Sequence, residues 1–239
     1  MIRTIFFAFV LFFTACNKSD SPINNEPSID TPTTKSVAYL ALGDSYTIGE
    51  SVGVKGRFPM QFVSQLRDEI DSINFEDPLY IATTGWRTDQ LIAAVESANL
   101  QDTFDLVSLL IGVNNQFQGR PIDVYKTEFT TLLSRSIELA QGDTNRVFVL
   151  SIPDYAFTPY GQSVNADQIS AGIDAFNAVN KEITQMMGVR YFDITPISRQ
   201  GVEEPELVAF DDLHPSIEQY RRWVAVFYDT MKAVAVTCE

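Results

Sequence analysis

The sequence predicts an α/β chain, a three-layer α/β/α sandwich with a mainly five-stranded parallel sheet. Three observations carry that prediction. Five apolar runs of strand length recur, most of them continuous rather than alternating, as strands covered on both faces require. Segments with helical spacing of their apolar residues separate the runs. Strand followed by helix, repeated five times, is the pattern of a parallel sheet with helices on both faces.

In chain order, the first run is 37–42, and an amphipathic helix is expected over 58–70. The second run, 79–82, is followed by a helix over 88–98. The third, 106–111, is followed by a helix over 122–140, in which Tyr125, Phe129, Leu132, Leu133 and Ile137 share a face. The fourth, 147–152, is followed by a helix over 167–187 with the stripe Ile169, Ile173, Phe176, Val179, Ile183 and Met187, and Gly188 is placed to end it. The fifth run is 189–194. A last helix is expected from residue 217, with Tyr220, Val224, Phe227 and Met231 on its apolar side and Ser216 with Gln219 as a capping box. No internal repeat and no second break in composition interrupts 37–239, which reads as one domain.

The residues before it read as an address. A short basic start is followed by an apolar stretch over 5–13, which fits the core of a signal peptide and falls well short of the ~20 residues that span a bilayer. Thr14-Ala15-Cys16 then resembles a bacterial lipobox, with Phe13 where a leucine is usual; a plain secretory signal is the alternative. On the lipobox reading, residues 1–15 are removed and Cys16 carries the lipid. The protein would then be extracytoplasmic and held at a membrane by that anchor, with Cys238 as the one remaining thiol. Residues 17–36, rich in Pro, Ser, Thr and Asn and free of aromatics, read as a flexible linker.

Composition excludes several functions. The 239 residues carry a net charge of −14, so no excess of Lys and Arg is available to neutralise phosphates, and nucleic acid is not an expected partner. Two cysteines and one histidine cannot build a four-ligand Cys/His zinc site. No metal and no cofactor is expected. Chemistry that needs an imidazole must run through His214.

The candidate chemistry lies in turns. The first run ends in Gly43-Asp44-Ser45-Tyr46-Thr47, the second in Thr84-Gly85-Trp86-Arg87 and the third in Gly112-Val113-Asn114-Asn115; Asp211-Asp212-Leu213-His214-Pro215-Ser216 precedes the last helix. In parallel α/β sheets, turns at the carboxyl ends of strands face one crevice. In this order and context, the set resembles the GDSL family of the SGNH hydrolases, esterases named for an invariant Ser, Gly, Asn and His. The resemblance covers residues 37–235 and implies a flavodoxin-like hydrolase fold. Carried over residue by residue, it implies Ser45 as nucleophile, His214 as general base and Asp211 as the acid that orients it. Backbone N–H groups of Ser45 and Gly85, with the side-chain amide of Asn114, would form an oxyanion hole. Tyr46 stands where the family name has Leu, and Asn115 where the third block often has Asp.

The physical chemistry agrees. A serine hydroxyl is a weak nucleophile until a base takes its proton, and a neutral imidazole can do so near neutral pH. A carboxylate fixes the tautomer and stabilises the imidazolium as it forms. Asp212 competes with Asp211 for that role, and the family spacing Asp-x-x-His favours Asp211. Asp44 is expected to brace the nucleophile turn rather than to act as a base. Trp86, Arg87, Phe117, Asp154, Tyr155 and Phe157 are candidates for substrate contact. Arg87 could grip a substrate oxygen or pair with a surface acid.

The expected activity is hydrolysis of a small-molecule carboxylic ester through an acyl-enzyme, with acetyl groups on carbohydrate as the leading substrate class. A lysophospholipase or thioesterase acting on lipid acyl chains is the runner-up, and a catalytically silent binding module on the same fold is the third reading.

Overall fold

In a computed structural model, the protein is described over residues 35–100 and 103–237. The leader over 1–15, the lipidated Cys16, the thiol of Cys238 and the linker up to residue 34 lie outside the described residues. Seven strands and nine α-helices are formed among the described residues. In chain order they are β1 (Lys35–Val37), β2 (Tyr39–Gly43), α1 (Ser45–Ile48), α2 (Phe58–Glu69), β3 (Ile73–Phe75), β4 (Leu79–Ala82), α3 (Thr88–Ser97), β5 (Leu106–Leu110), α4 (Val113–Phe117), α5 (Ile122–Leu139), β6 (Val147–Leu150), α6 (Pro159–Gln162), α7 (Ala166–Met186), β7 (Arg190–Phe192), α8 (Thr195–Ser198) and α9 (Ile217–Thr237).

The main sheet has five strands, all parallel, in the order β4-β2-β5-β6-β7. Chain order therefore reverses between β2 and β5, since β4 lies on one side of β2 and every later strand on the other. That reversal opens a crevice at the carboxyl ends of β2 and β5, the usual ligand site of doubly wound sheets. The central strands β2, β5 and β6 are buried along their whole length, whereas the edge strands β4 and β7 are not. The continuous apolar runs thus mark the middle of the sheet.

One run is split. Ala38 turns its N–H to the Asp105 carboxylate at 2.9 Å, so β1 separates from β2 and pairs in parallel with β3 as a small second sheet. Strand β1 takes in Lys35 and Ser36, residues read from sequence as linker. A three-residue strand such as β3 carries too little pattern to be read in advance.

Aromatic side chains fill the layers. On one face, Tyr39, Phe148 and Phe192 of the sheet meet Phe62 of α2 and Phe227 of α9, with ring centroids 5.2–6.1 Å apart. On the other, Tyr125 and Phe129 of α5 pack with Phe176 of α7, the closest pair at 4.6 Å. Each such ring removed from water contributes about 1.5–3 kcal/mol. The entry to α9 differs in one respect from the expected capping box. Ser216 Oγ accepts from Gln219 N at 3.2 Å, but the Gln219 amide donates to Leu207 O, and Ser216 N also goes to Leu207 O. The reciprocal half is replaced by a tie to the segment that precedes the His214 loop.

Candidate active site

Strand β2 ends at Gly43, where a side chain would have no room. A Cβ would lie 2.3 Å from Leu110 O and 2.1 Å from Thr47 Oγ1. The chain turns directly into α1, capped by Asp44, whose Oδ1 accepts from Tyr46 N at 3.0 Å. This is the bracing role expected of Asp44. Burial pushes its carboxyl up to about 7, against hydrogen bonds from the backbone of Tyr46, Gly112 and Asp44 itself. Ser45 is thereby the first residue of α1, so its N–H belongs to the turn whose donors have no partner within the helix.

His214 arrives on the loop before α9. Ala209 N donates to His214 O at 2.8 Å, and Val208 and Pro215 form an antiparallel bridge. Asp211 grips the histidine twice, with Oδ1 accepting from His214 N at 2.9 Å and Oδ2 meeting the ring Nδ1 at 2.6 Å. Nε2 is then the nitrogen left to face a nucleophile. Burial alone would raise the Asp211 carboxyl. The Ser51 hydroxyl, the backbone and ring of His214 and the N–H of Leu213 outweigh it and hold the group at about 2. Asp212 is exposed, adopts φ +63° and makes its contacts through the backbone, accepting from Tyr160 N at 3.0 Å. The geometry therefore selects Asp211 over Asp212 as the partner of His214.

Ser45, Asn114 and His214 line one pocket of about 90 Å3, together with Tyr46, Val113, Phe117, Tyr155 and Leu213. Asn114 follows β5 and donates its Nδ2 to Trp86 O at 3.0 Å, which ties the third turn to the second. An amide nitrogen carries two protons, so a second donor remains. Gly85, at φ +85° in the turn closed by Trp86 N to Thr83 O, has nothing within 4 Å of where a Cβ would be. Its backbone conformation, rather than lack of space, calls for glycine. Gly85 lies outside the lining of the pocket, one residue from the carbonyl that Asn114 holds. Asn115 is fully buried and fastens the start of α3, accepting from Thr88 N at 3.1 Å and donating to Thr88 Oγ1 at 2.6 Å. With Asn in place of Asp at this position, both side-chain polar atoms are bonded to Thr88. Among the described residues, no group of His, Cys, Asp and Glu is placed to hold a metal ion.

The substrate-contact candidates divide. Tyr155 and Phe117 line the pocket. Arg87 does not; its guanidinium donates to Asp89 and Gln118, each at 2.8 Å, which is the surface-acid alternative. Trp86 serves through its carbonyl while its ring packs against the core. Asp154 is corrected from a substrate contact to a buried brace, fully inaccessible and bonded to Arg199 Nε, Ser170 Oγ and Ala156 N at 2.7–3.0 Å. Phe157 is not part of the lining. Tyr46, Val113 and Leu213, none of them a substrate-contact candidate from sequence, also line the pocket, and each adjoins Ser45, Asn114 or His214 in the chain. Ser51, whose Oγ donates to Asp211 Oδ2 at 2.5 Å, had no sequence signal.

A model of the GDSL-like Lipase/Acylhydrolase family matches residues 41–222. No curated protein matches the chain. Among solved structures, Axe2, an acetylxylan esterase from Geobacillus stearothermophilus, is similar at 19% identity and a TM-score of 0.65 over 83% of this chain and 95% of its own. TesA is similar at 15% identity and 0.64 over 82% of this chain and 99% of its own. A member of the lipolytic protein G-D-S-L family from Veillonella parvula is similar at 17% identity and 0.59, over 80% and 96%. At these identities, the three support the fold.

Proposed function

The chain belongs to the GDSL-like lipase/acylhydrolase family, and from that premise we propose that it is a serine esterase of small O-acyl groups, with acetyl esters of carbohydrate as the leading class. In this mechanism, Ser45 Oγ attacks the ester carbonyl as its proton passes to His214 Nε2, and Asp211 stabilises the imidazolium. The oxyanion is met by the N–H groups of Ser45 and Gly85 and the free N–H of Asn114. Collapse expels the alcohol, which takes the proton from His214. A water molecule, deprotonated by the same imidazole, then releases the acid and restores Ser45.

The observation that carries the small-acyl reading is the size of the pocket beside Ser45 and His214. At about 90 Å3, it is smaller than the ~150 Å3 cavity that accommodates a benzene ring, which favours an acyl group of a few carbons. A second, larger groove of about 340 Å3 shares Phe117 and Tyr155 with it and continues past Tyr160, Asn165 and Gln168. Aromatic faces beside side-chain amides suit an alcohol with both CH and OH surfaces, as a sugar has. The acetylxylan esterase activity named for the similar Axe2 is consistent with this class.

Hydrolysis of p-nitrophenyl esters from acetate to palmitate, by wild type and Ser45→Ala, tests the proposal. A maximum at acetate that disappears in the variant is expected. A maximum at long chains would transfer the assignment to lipid acyl chains, and no hydrolysis of any ester would leave a binding module.

Lipidation of Cys16, with an extracytoplasmic domain tethered from residue 16 onward, is proposed on the pattern of residues 1–16 alone. Incorporation of labelled palmitate by the wild type and its loss in Cys16→Ser is the expected result.

A further inference from the structure

We propose that Ser51 is a positioning residue for the acid–base pair, its hydroxyl fixing the carboxylate oxygen of Asp211 that holds the His214 ring. The inference rests on the esterase reading and adds a fifth side chain to Ser45, His214, Asp211 and Asn114.

The geometry is specific. Asp211 Oδ1 is occupied by two backbone donors, Leu213 N at 3.1 Å and His214 N at 2.9 Å. Oδ2 is met by His214 Nδ1 at 2.6 Å and by Ser51 Oγ at 2.5 Å. A carboxylate held only through Oδ1 could still rotate Oδ2 out of the imidazole plane. A second donor on Oδ2 from a different part of the chain removes that freedom, and hydrogen bonds to a charged acceptor are among the stronger ones. Ser51 is also among the donors that keep the Asp211 carboxyl low.

A second observation is independent of that contact. Ser51 has φ +65°, in the left-handed region that residues other than glycine, asparagine and aspartate seldom occupy. Backbone strain of this kind persists where the surroundings over-determine it, and it collects at functional sites. The surroundings here are the nucleophile itself. Gly49 N and Glu50 N both donate to Ser45 O, at 2.9 and 3.0 Å, and the Glu50 carboxylate accepts from the Thr84 hydroxyl beside Gly85. The segment 49–51 thus starts from Ser45, touches the turn of Gly85 and ends on Asp211. One short stretch sets the spacing between nucleophile, second turn and acid.

Two variants and one spectroscopic probe test this. Ser51→Gly removes the hydroxyl while relieving the left-handed backbone, and Ser51→Ala removes the hydroxyl and keeps the strain. With p-nitrophenyl acetate, both are expected to lower kcat about tenfold with KM within about twofold of wild type, while Ser51→Gly melts close to wild type. In the Asp211→Asn background, Ser51→Gly should cost nothing further, because its effect runs through Asp211. His214 is the only histidine, so its ring N–H proton gives a single, unambiguous NMR signal that needs no substrate. That signal is expected to shift in Ser51→Gly and to disappear in Asp211→Asn. Unchanged kcat and an unchanged signal in Ser51→Gly would overturn the proposal, as would a full additive loss in the Asp211→Asn background. Failure of the esterase reading itself shows separately, as a wild type that hydrolyses no ester while its His214 signal still responds to Ser51→Gly.

Discussion

The side-chain amide of Asn114 is fastened to the main-chain carbonyl of Trp86 at 3.0 Å, which ties the turn after β5 to the turn after β4. One amide proton is used for that tie, which fixes where the other points. In the proposed mechanism, Asn114→Ala therefore removes an oxyanion donor and frees the Gly85 turn at once. A fall in kcat of about 10²–10³ with little change in KM is expected; a loss below fivefold on p-nitrophenyl acetate would place the oxyanion elsewhere.

Asp44 makes stability depend on pH. Its carboxyl is raised to about 7 by burial, above the value near 4 of an unfolded aspartate. The native state therefore keeps a proton that the unfolded chain has lost, and stability falls as pH rises from about 4 to 7 before levelling off. Asn at this position keeps an acceptor for Tyr46 N and cannot ionise. Denaturant titrations of Asp44→Asn at pH 5 and pH 8 should differ less than those of wild type, by on the order of a few kcal/mol.

Asp211 has the opposite sign. Its carboxyl is held at about 2, so the stabilisation it gives is fully present above about pH 4 and is lost as pH falls toward 2. Acid unfolding of Asp211→Asn should lack that component and start from a lower plateau at neutral pH. Coincident acid limbs in the two proteins would contradict the assignment.

Arg199 pairs with the inaccessible Asp154 at 3.0 Å. Removing the guanidinium leaves a buried carboxylate with two neutral donors. Arg199→Ala should lose about 3 kcal/mol of stability while KM and kcat at a permissive temperature stay near wild type. A raised KM without a stability loss would restore Asp154 to the substrate site.

The proposed alcohol-side groove is tested at Gln168, which lies in that groove and outside the pocket of Ser45 and His214. Gln168→Leu should leave p-nitrophenyl acetate hydrolysis unchanged and lower kcat/KM about tenfold on acetylated xylo-oligosaccharides, as expected for the loss of one or two hydrogen bonds. Equal kinetics on both substrates would detach the groove from substrate binding.

Much of this was legible because it is local in sequence. The stripes of Tyr125 with Phe129 and of Ile169 with Ile173 announce α5 and α7 within a residue of their ends, since burial of one face dictates helical spacing. Ser45, Asn114 and His214 sit in short blocks beside glycine, asparagine or proline, where turn chemistry marks the chain. What was hidden depends on pairs far apart. Ser51 and Asp211 are 160 positions apart, and neither carries a periodicity. Arg87 and Asp154 looked like crevice polar groups because a sequence does not show which charge has found a partner. The break at Ala38 depends on Asp105, 67 positions on.

Tyr46 is 4% exposed, and its ring lies edge-on to both His214, at 6.0 Å, and Trp223 of α9, at 6.3 Å. Phe117, which lines the same pocket, is 55% exposed. The pocket wall thus includes both an interior and a surface side chain. Substitutions that reshape the Tyr46 side disturb α9 packing and the base together, so selection has little room there. Phe117, whose ring meets the core at Tyr155, can change at less cost, so a change of substrate preference is expected to begin there.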